Sequence, residues 1–594
     1  MTSAEVRDYE TNAVLIGDAS RFPRAPRAIA VKGCEFVRLV SKMSVSHSEI
    51  FDGLNEAQQK AVTTTEGPLL VVAGPGTGKT LTIVRRIAWL VQKGGPPENI
   101  LAVTFTNRAA REMKERTARL LGDAASGIFI GTFHLLGLRM IREQVSRAFI
   151  LLNRDEQAEV LKSLMKGTSK AVQQTLERIS RIKNFLEEMT NPPQPSFAKG
   201  GNVKTAGELK AVYENYQAAL EQRGCLDFDD LIRLPVELLQ DEAVGRNYRE
   251  RFRYIIVDEY QDINPAQYRL LRLLTGTSGN LCAVGDSDQA IYSFRGADLG
   301  NFLNFEKDFP GAARVTLSQN YRSTGVILQA ADGVIRKNQK RIVKQLAATR
   351  EEGKPVLLIS VPDERTEGAV ILEEIGTRMG GMDHEGARVN SERTDGPCRF
   401  SDFAVIFRTN AQARALEEAF AASGIPFQMV GKPSSVQRKD AEETVAFLRS
   451  LLNPGGTGDQ PRKTQSNAEA LLLTEADFFD PRADAVALMT MHMAKGLEFR
   501  FVFIAGCEDG LVPCTIMKDG VDLEEERRLF YVGLTRAKEE LFLLQARNRF
   551  LYGQSLGQKQ SPFLKEIPKE LKESRTVADK PKKEKPEDRQ LGLF

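Results

Sequence analysis

Glycines, a lysine and a threonine that follow an apolar run form the first group of residues able to do chemistry. The run Leu69–Val72 is followed by Ala73, Gly74, Pro75, Gly76, Thr77, Gly78, Lys79 and Thr80. Backbone N–H groups of such a loop can surround an anion, the lysine can reach β- and γ-phosphates, and the threonine hydroxyl can ligate Mg²⁺. The pattern predicts a site for ATP and Mg²⁺, although Ala73 stands where the strict motif has glycine. A glycine-rich turn without a ligand is the alternative.

Paired carboxylates follow a second apolar run, Tyr254–Val257. Asp258 is placed to hold Mg²⁺ through water, and Glu259 to orient or deprotonate an attacking water. An acidic turn is the alternative. Two amides complete the predicted nucleotide site: Gln58, on a helix-like segment, can read an adenine edge, and Gln289, after the run at 282–285, can sense a γ-phosphate.

Hydroxyl, amide, basic and aromatic side chains follow two further apolar runs and the run at 282–285. In open α/β sheets ligands bind at the carboxyl ends of strands, and hydroxyls beside stackable aromatic rings suit single-stranded nucleic acid. Plain packing is the alternative for each strand end taken alone. The predicted contacts to nucleic acid from these segments are Phe105, Asn107, Thr132, Phe133, His134, Tyr292, Phe294 and Arg295.

The whole chain of 594 residues must position these groups, and its length predicts three or more domains. A net charge of +3 restricts any nucleic-acid site to a local groove. No apolar run is long enough for a membrane span, and the N-terminus lacks the apolar core of a signal peptide, so we expect a cytoplasmic protein without a membrane partner. The six cysteines form no C-x-x-C pair and there are four histidines, so we expect no structural metal.

Composition and the order of the apolar runs predict an α/β protein with a divided first domain. A charged, helix-rich stretch interrupts that domain, and a second α/β unit follows it. The predicted parts are an arm of unknown role (1–47), a first domain (48–142 and 224–311), a helical insertion (143–223), a second domain (312–452 and 484–564), a short linker (453–483) and a disordered tail (565–594).

Ten segments in order resemble the motifs of UvrD/Rep-type superfamily 1 DNA helicases, from about residue 50 to about residue 570. They are LNEAQ, AGPGTGKT, VTFTNRAAREM, GTFH, LDFDDL, VDEYQD, VGDSDQAIYSFRGAD, LSQNYRS, MTMHMAKGLEF and EEERRLFYVGLTRAK. The resemblance implies two RecA-like P-loop domains with ATP between them and a helical insertion in the first. It also implies an ATP-dependent 3′→5′ translocase or helicase that acts on single-stranded and forked DNA in repair or replication.

The same resemblance implies further residue roles. Arg322 and Arg536 match arginine fingers, which neutralise charge on the transferred phosphoryl group. Tyr321 matches the residue that stacks on adenine, and Glu498 the residue that reaches the ribose. His492 matches a residue near the DNA backbone, and Tyr552 matches the hairpin tip that wedges the duplex junction. Phe294 stands where the family usually has tryptophan.

One segment departs from the family pattern. Relatives carry a large helical subdomain, called 2B, where this chain has only the short linker 453–483. Because that subdomain contacts duplex DNA, ATP hydrolysis and translocation are safer expectations than processive unwinding. Two alternatives stay open: a translocase that strips proteins from single-stranded DNA with little unwinding, and a clamp-tethered DNA-binding scaffold with a vestigial ATPase.

The last five residues carry a predicted partner signal. A stretch rich in Lys, Glu and Pro precedes them and cannot bury a core, so it should be disordered. The chain then ends in Gln590, Leu591, Gly592, Leu593 and Phe594, which resembles the QLxLF peptide that docks on the bacterial DNA polymerase sliding clamp. A chance apolar terminus is the alternative.

Overall fold

The computed structural model describes most of the chain with defined gaps. The described residues are 46–145, 149–165, 167–185, 206–276, 279–380, 397–431, 479–516, 520–551, 553–557 and 559–578. The predictions for residues 1–45, for most of the linker, for Tyr552 and for the last five residues therefore lie outside them.

A parallel sheet forms the centre of the first half of the chain. Its six strands lie in the order β3–β2–β6–β7–β1–β8, and β4 and β5 pair separately. The bounds are β1 Leu69–Ala73, β2 Ile100–Thr104, β3 Phe129–Thr132, β4 Ile150–Leu151, β5 Cys225–Leu226, β6 Tyr254–Val257, β7 Asn280–Gly285 and β8 Ala313–Leu317.

Helices cover both faces of this sheet. Along β1, Leu70 and Val72 enter one buried cluster, and Leu69 and Val71 enter another, because successive side chains of a strand point to opposite faces. Burial on both faces explains the continuous apolar runs of the sequence. The helices are α1 His47–Phe51, α2 Glu56–Thr63, α3 Lys79–Gln92, α4 Asn107–Leu121, α5 Phe133–Gln144, α6 Arg154–Leu164, α7 Ser169–Phe185, α8 Ala206–Gln222, α9 Asp230–Leu238, α10 Glu242–Arg251, α11 Pro265–Thr275, α12 Leu299–Leu303 and α13 Phe305–Asp308.

Helices α6, α7 and α8 form an insertion with a small core of its own, which includes Leu161, Leu176 and Tyr216. A buried ion pair ties this insertion to the first domain: the Lys183 ammonium on α7 lies 2.7 Å from the carboxylate of Asp227 and 2.9 Å from that of Asp230.

A second sheet organises the rest of the chain. Its order is β13–β14–β12–β15–β16–β11–β18, with β17 antiparallel to β16, and β9 pairs with β10 outside it. The strands are β9 Gln319–Asn320, β10 Ala347–Ala348, β11 Val356–Asp363, β12 Phe403–Phe407, β13 Phe427–Met429, β14 Val486–Thr490, β15 Phe499–Ile504, β16 Ala537–Leu551, β17 Gln554–Gly557 and β18 Lys572–Thr576. The helices are α14 Gly325–Ile335, α15 Glu364–Arg378, α16 Ala413–Ser423 and α17 Leu523–Leu534.

The predicted start of the second domain at residue 312 lies just before a strand that belongs to the first sheet. Strand β8 pairs with β1 at the edge of the first sheet, from Leu69 opposite Ala313 to Ala73 opposite Leu317. Its inward side chains Val315 and Leu317 belong to the core of the first domain. Sequence pattern identifies a strand but does not say which of two sheets it joins.

The prediction that disorder begins at residue 565 is wrong for residues 565–578. Ile567 is 1% exposed in the core of the second domain, and β18 extends the second sheet by pairing in parallel with β11. Ladder hydrogen bonds use only the backbone, so a charged sequence can form an edge strand once a neighbour such as Ile567 anchors it.

Candidate active site and nucleic-acid groove

The glycine-rich loop joins the end of β1 to the start of α3. Gly76 and Gly78 have φ angles of 67° and 81°, a region that favours glycine. A Cβ atom at Gly76 would lie 2.5 Å from the Cβ of Arg322, and one at Gly78 would lie 2.6 Å from Nε2 of Gln58. Thr77 closes the loop by donating from its hydroxyl to the Gly74 carbonyl at 2.8 Å. The loop is thus a tight cradle at a helix N-terminus.

Lys79 begins α3, and its ammonium is buried without a hydrogen-bond partner in the described part of the chain. It lies 3.4 Å from the Glu259 carboxylate. A buried ammonium that makes no hydrogen bond is costly unless a further anion supplies one. Together with the adjoining Thr80 hydroxyl, this arrangement fits the phosphates and Mg²⁺ of ATP.

Asp258 and Glu259 follow β6 at the same edge of the sheet. Glu259 has a φ of 52°, the one positive φ outside glycine among the described residues. Burial, with Glu259 next to it, raises the pKa of Asp258 to about 7. Burial also opposes ionisation of Glu259, but Lys79 and Lys495 outweigh it and lower the pKa of Glu259 to about 2. Glu259 is therefore ionised at neutral pH. A cation bound next to Asp258 would favour its ionised form and lower its pKa, as expected for a magnesium ligand.

Residues of the second domain close the nucleotide cradle. The Asn320 side chain donates to the Pro75 carbonyl at 2.6 Å, and the Tyr321 N–H donates to the Gly76 carbonyl at 2.9 Å. The Tyr321 ring is 44% exposed, and its hydroxyl accepts from Asn55 beside Gln58 at 2.8 Å. Gln58, the predicted adenine reader, is 1% exposed, and its amide donates to the Thr77 carbonyl and accepts from the Asn55 N–H, both at 3.0 Å, so both ends of the amide are bound within the cradle.

Arg322 and Arg536 lie at the same cleft. Arg322 donates from Nε to the Glu498 carboxylate at 2.8 Å, so the predicted finger and the predicted ribose contact form an ion pair. Arg536 is 1% exposed, and its guanidinium donates to the carbonyls of Val532 and Leu497 at 2.9 and 3.0 Å. Burial, with the like charge of Arg322, lowers the pKa of Arg536 to about 9, which keeps it cationic at neutral pH.

Gln289 and Lys495 link the nucleotide site to the aromatic residue Tyr292. The Gln289 amide donates to the Asp286 carboxylate at 2.7 Å, and its backbone carbonyl accepts from the Lys495 ammonium at 2.8 Å. Lys495 comes from the second domain, binds Asp262, and lies 3.7 Å from Glu259. Its ammonium is also 5.1 Å from the centre of the Tyr292 ring.

A cavity of about 660 Å³ opens beyond Tyr292 and is lined by both domains. Phe105 stacks on Tyr292 with ring centres 4.8 Å apart, and Phe294 meets His492 edge-on at 5.2 Å. The Arg295 guanidinium lies 5.6 Å from the centre of the Phe294 ring, which is 57% exposed. Burial, with Arg408 and other cations nearby, lowers the pKa of His492 to about 3. Aromatic faces beside cationic side chains suit stacked bases and their phosphates.

The structure does not bring all predicted nucleic-acid residues to this cavity. Phe133 is 2% exposed within the first core, so its prediction as a base contact is wrong. Thr132 is 5% exposed and caps α5 by accepting from the Leu135 N–H. Asn107 is 6% exposed at the start of α4, and His134 lies near Asp229 with a pKa that burial lowers. These three do not line the cavity.

Sequence reasoning missed Lys495 and Asn320. Both lie inside motifs that drew attention to other residues, Glu498 and Arg322. An isolated lysine or asparagine carries no local signal, and only the closed cleft shows that each contacts the opposite domain.

Stretches of the chain match two models of known protein families. Residues 54–310 match the UvrD/REP helicase N-terminal domain, and residues 315–458 and 463–548 match the UvrD-like helicase C-terminal domain. The chain belongs to the UvrD/REP helicase family. This confirms the resemblance inferred from the motifs and the two RecA-like domains expected from it.

Individual relatives agree with this assignment. The chain is 33% identical to the ATP-dependent DNA helicase PcrA of Bacillus subtilis over 665 aligned residues, which cover 90% of this chain and 88% of the relative. It is 33% identical to PcrA of Staphylococcus aureus strain Mu50 over 655 residues, with 88% and 87% covered. Both alignments are longer than the chain of 594 residues, so these relatives carry segments that this helicase lacks.

Within the described residues of this UvrD/REP family member, no helix is long and apolar enough to cross a membrane.

Proposed function

We propose that this ATP-dependent DNA helicase of the UvrD type moves 3′→5′ along single-stranded DNA and acts in DNA repair or replication. One observation carries the proposal: the same two domains line both the nucleotide cradle and the aromatic cavity, and Lys495 contacts Glu259 on one side and Tyr292 on the other. A change in the cleft on ATP binding therefore reaches the base-stacking residues directly.

The residue roles follow from this arrangement. Lys79 binds the phosphates, Thr80 and Asp258 hold Mg²⁺, and Glu259 activates water. Arg322 and Arg536 neutralise the charge of the transferred phosphoryl group. Phe105, Tyr292 and Phe294 stack on bases, and repeated closure and opening of the cleft moves the strand.

The alternative is a translocase that displaces proteins from single-stranded DNA and unwinds little. Its support is the length of the alignments, because the relatives carry segments that this chain lacks. We propose that most of the missing sequence corresponds to the 2B subdomain, which the linker 453–483 replaces.

Three measurements on the full chain test the proposal. ATP hydrolysis should rise on addition of single-stranded DNA, and streptavidin should be displaced from a biotin at the 5′ end faster than from one at the 3′ end. Unwinding of a forked duplex then separates the two candidates: efficient unwinding of a long duplex supports the helicase, and displacement without unwinding supports the alternative. If the rate of ATP hydrolysis did not change on addition of single-stranded DNA, both candidate functions would be overturned.

Tyr552 should matter for strand separation alone. It lies outside the described residues, between Leu551 and Gln554, which are the last pair of the β16–β17 hairpin described. Stacking on a base contributes about 1–3 kcal/mol, so Tyr552→Ala should keep DNA-stimulated ATP hydrolysis and lose forked-duplex unwinding. Equal loss of both activities would instead assign Tyr552 to the fold.

The C-terminal peptide should bind the bacterial sliding clamp. Leu591, Leu593 and Phe594 would fill an apolar pocket, and Gln590 would supply a directional amide. We expect micromolar binding of the peptide by calorimetry, and its loss in Leu593→Ala with Phe594→Ala, because burial of two apolar side chains in the pocket would drive the docking. In the full chain, the same double substitution should leave ATP hydrolysis unchanged. If the intact peptide does not bind the clamp, clamp docking is refuted.

A further inference from the structure

The segment Arg341–Leu346, here called the strap, lies against the first domain although it follows α14 of the second. The Ile342 side chain packs on the core of the first domain, and the Ile342 N–H donates to the Ser287 hydroxyl at 3.0 Å. At its other end, Leu346 lies so close to the phosphate loop that a Cβ at Gly74 would be 2.7 Å from it. The strap thus spans from the Gln289 loop to the nucleotide cradle.

Two buried cations of the strap meet two buried carboxylates of the first domain. Arg341 donates from Nε and Nη2 to the two oxygens of Asp288 at 2.9 and 2.6 Å. Lys344, which is 6% exposed, donates to both Asp286 and Asp288. Asp288 therefore has two cationic partners in the strap, whereas Asp286 is bound by Lys344.

Asp286 is the point from which this contact reaches the active site. Its second carboxylate oxygen accepts from the Gln289 amide at 2.7 Å, and its N–H donates to the Gln261 side-chain oxygen at 2.9 Å. The Gln261 amide in turn donates to the Glu259 carboxylate at 2.5 Å. The Asp286 carboxylate thus contacts Gln289 directly, and the Asp286 backbone N–H reaches Glu259 through Gln261.

We propose that Lys344 is a positioning residue of the ATP site, which holds Asp286 so that the Gln289 amide and the Gln261–Glu259 pair keep their productive orientation. The inference rests on the proposed ATP-driven function and on the prediction from sequence that Gln289 senses the γ-phosphate. Without the ammonium, a carboxylate with 0% exposure loses its cation and must seek other donors. Lys79 is near enough to lower the pKa of Asp286 together with Lys344, against the effect of burial, so the phosphate-binding lysine is the competing partner.

The strap contains its own matched control. Arg341→Met and Lys344→Met each remove one buried cation that binds Asp288, so both should lower the midpoint of thermal unfolding. Only Lys344→Met removes the partner of Asp286. DNA-stimulated kcat should then fall by about tenfold in Lys344→Met, with KM for ATP little changed, and stay within about twofold of wild type in Arg341→Met, since small displacements in an active site have large kinetic effects.

A double-mutant cycle with Gln289→Ala decides whether Lys344 acts through Gln289. If it does, Lys344→Met should have little further effect in the Gln289→Ala background, because the residue that it positions is already absent. Fully additive losses, or equal losses in Arg341→Met and Lys344→Met, would overturn the proposal. If Lys344→Met does not fold, Lys344→Arg replaces it in the cycle, since it keeps the charge and changes the geometry. A wild-type chain without DNA-stimulated turnover would refute the proposed function itself, which is a separate outcome.

Discussion

Replacing Arg536 by alanine should lower the rate of ATP hydrolysis by about 10³-fold or more, the size expected for loss of an arginine finger. The guanidinium is buried and held by the carbonyls of Val532 and Leu497, so its position is set before ATP binds. A group that is already oriented stabilises the developing charge without reorganisation. Binding of ATP, which we propose that Lys79 and the glycine-rich loop provide, should persist. Single-turnover hydrolysis and titration with a fluorescent ATP analogue measure the two effects.

Two variants control this experiment. Arg536→Lys keeps a buried cation but not the fork of donors, so it should fold like wild type and still hydrolyse ATP slowly. Lys79→Ala should show the opposite pattern and lose binding, because it removes the ammonium that faces the phosphates. If Arg536→Ala turned over ATP at the wild-type rate, the active site would not be shared between the two domains.

Glu259→Gln should lower hydrolysis by about 10²- to 10⁴-fold, the range expected for loss of a general base. Lys79 and Lys495 lower the pKa of Glu259 to about 2 against the effect of burial, so the side chain is an unprotonated carboxylate at neutral pH, the form in which a base acts. An amide of the same shape can still orient water but cannot take its proton. Steady-state hydrolysis with saturating single-stranded DNA measures the loss.

Tyr260→Phe is the matched control for that substitution. Tyr260 adjoins Glu259 and is fully buried, and its hydroxyl has no hydrogen-bond partner in the described part of the chain. Removing the hydroxyl should therefore leave both folding and turnover near wild type. Full activity of Glu259→Gln would exclude Glu259 as the base. Asp262, which is 2% exposed and forms an ion pair with Lys495, would then be the next candidate for that role.

The nucleotide chemistry could be predicted from sequence because each motif is local. Gly76, Gly78 and Lys79 lie within one four-residue stretch of the sequence, and a phosphate-binding loop needs no distant partner to define its backbone. The same holds for β6 and for Asp258 and Glu259, which follow it directly. Family membership followed from the order of such motifs, and it supplied the second-domain residues Arg322, Arg536 and Glu498 that no spacing could have assigned.

Side-chain direction and domain contacts were decided by the tertiary structure. Phe133 and Phe105 look alike in sequence, yet Phe133 packs into the first core while Phe105 stacks on Tyr292 at the cavity. A position after a strand restricts where a residue lies, but packing against α-helices decides whether its ring turns inward.

The sequence by itself thus determined which reactive groups this helicase has and the order in which the chain presents them. Only the tertiary structure decided that β8 joins the first sheet, that β18 extends the second, and that Lys344 and Lys495 reach the opposite domain. The reason is physical: local backbone preferences are encoded within a few residues, whereas these contacts join segments far apart in the chain. Such contacts form only when the chain has folded and has brought these distant segments together.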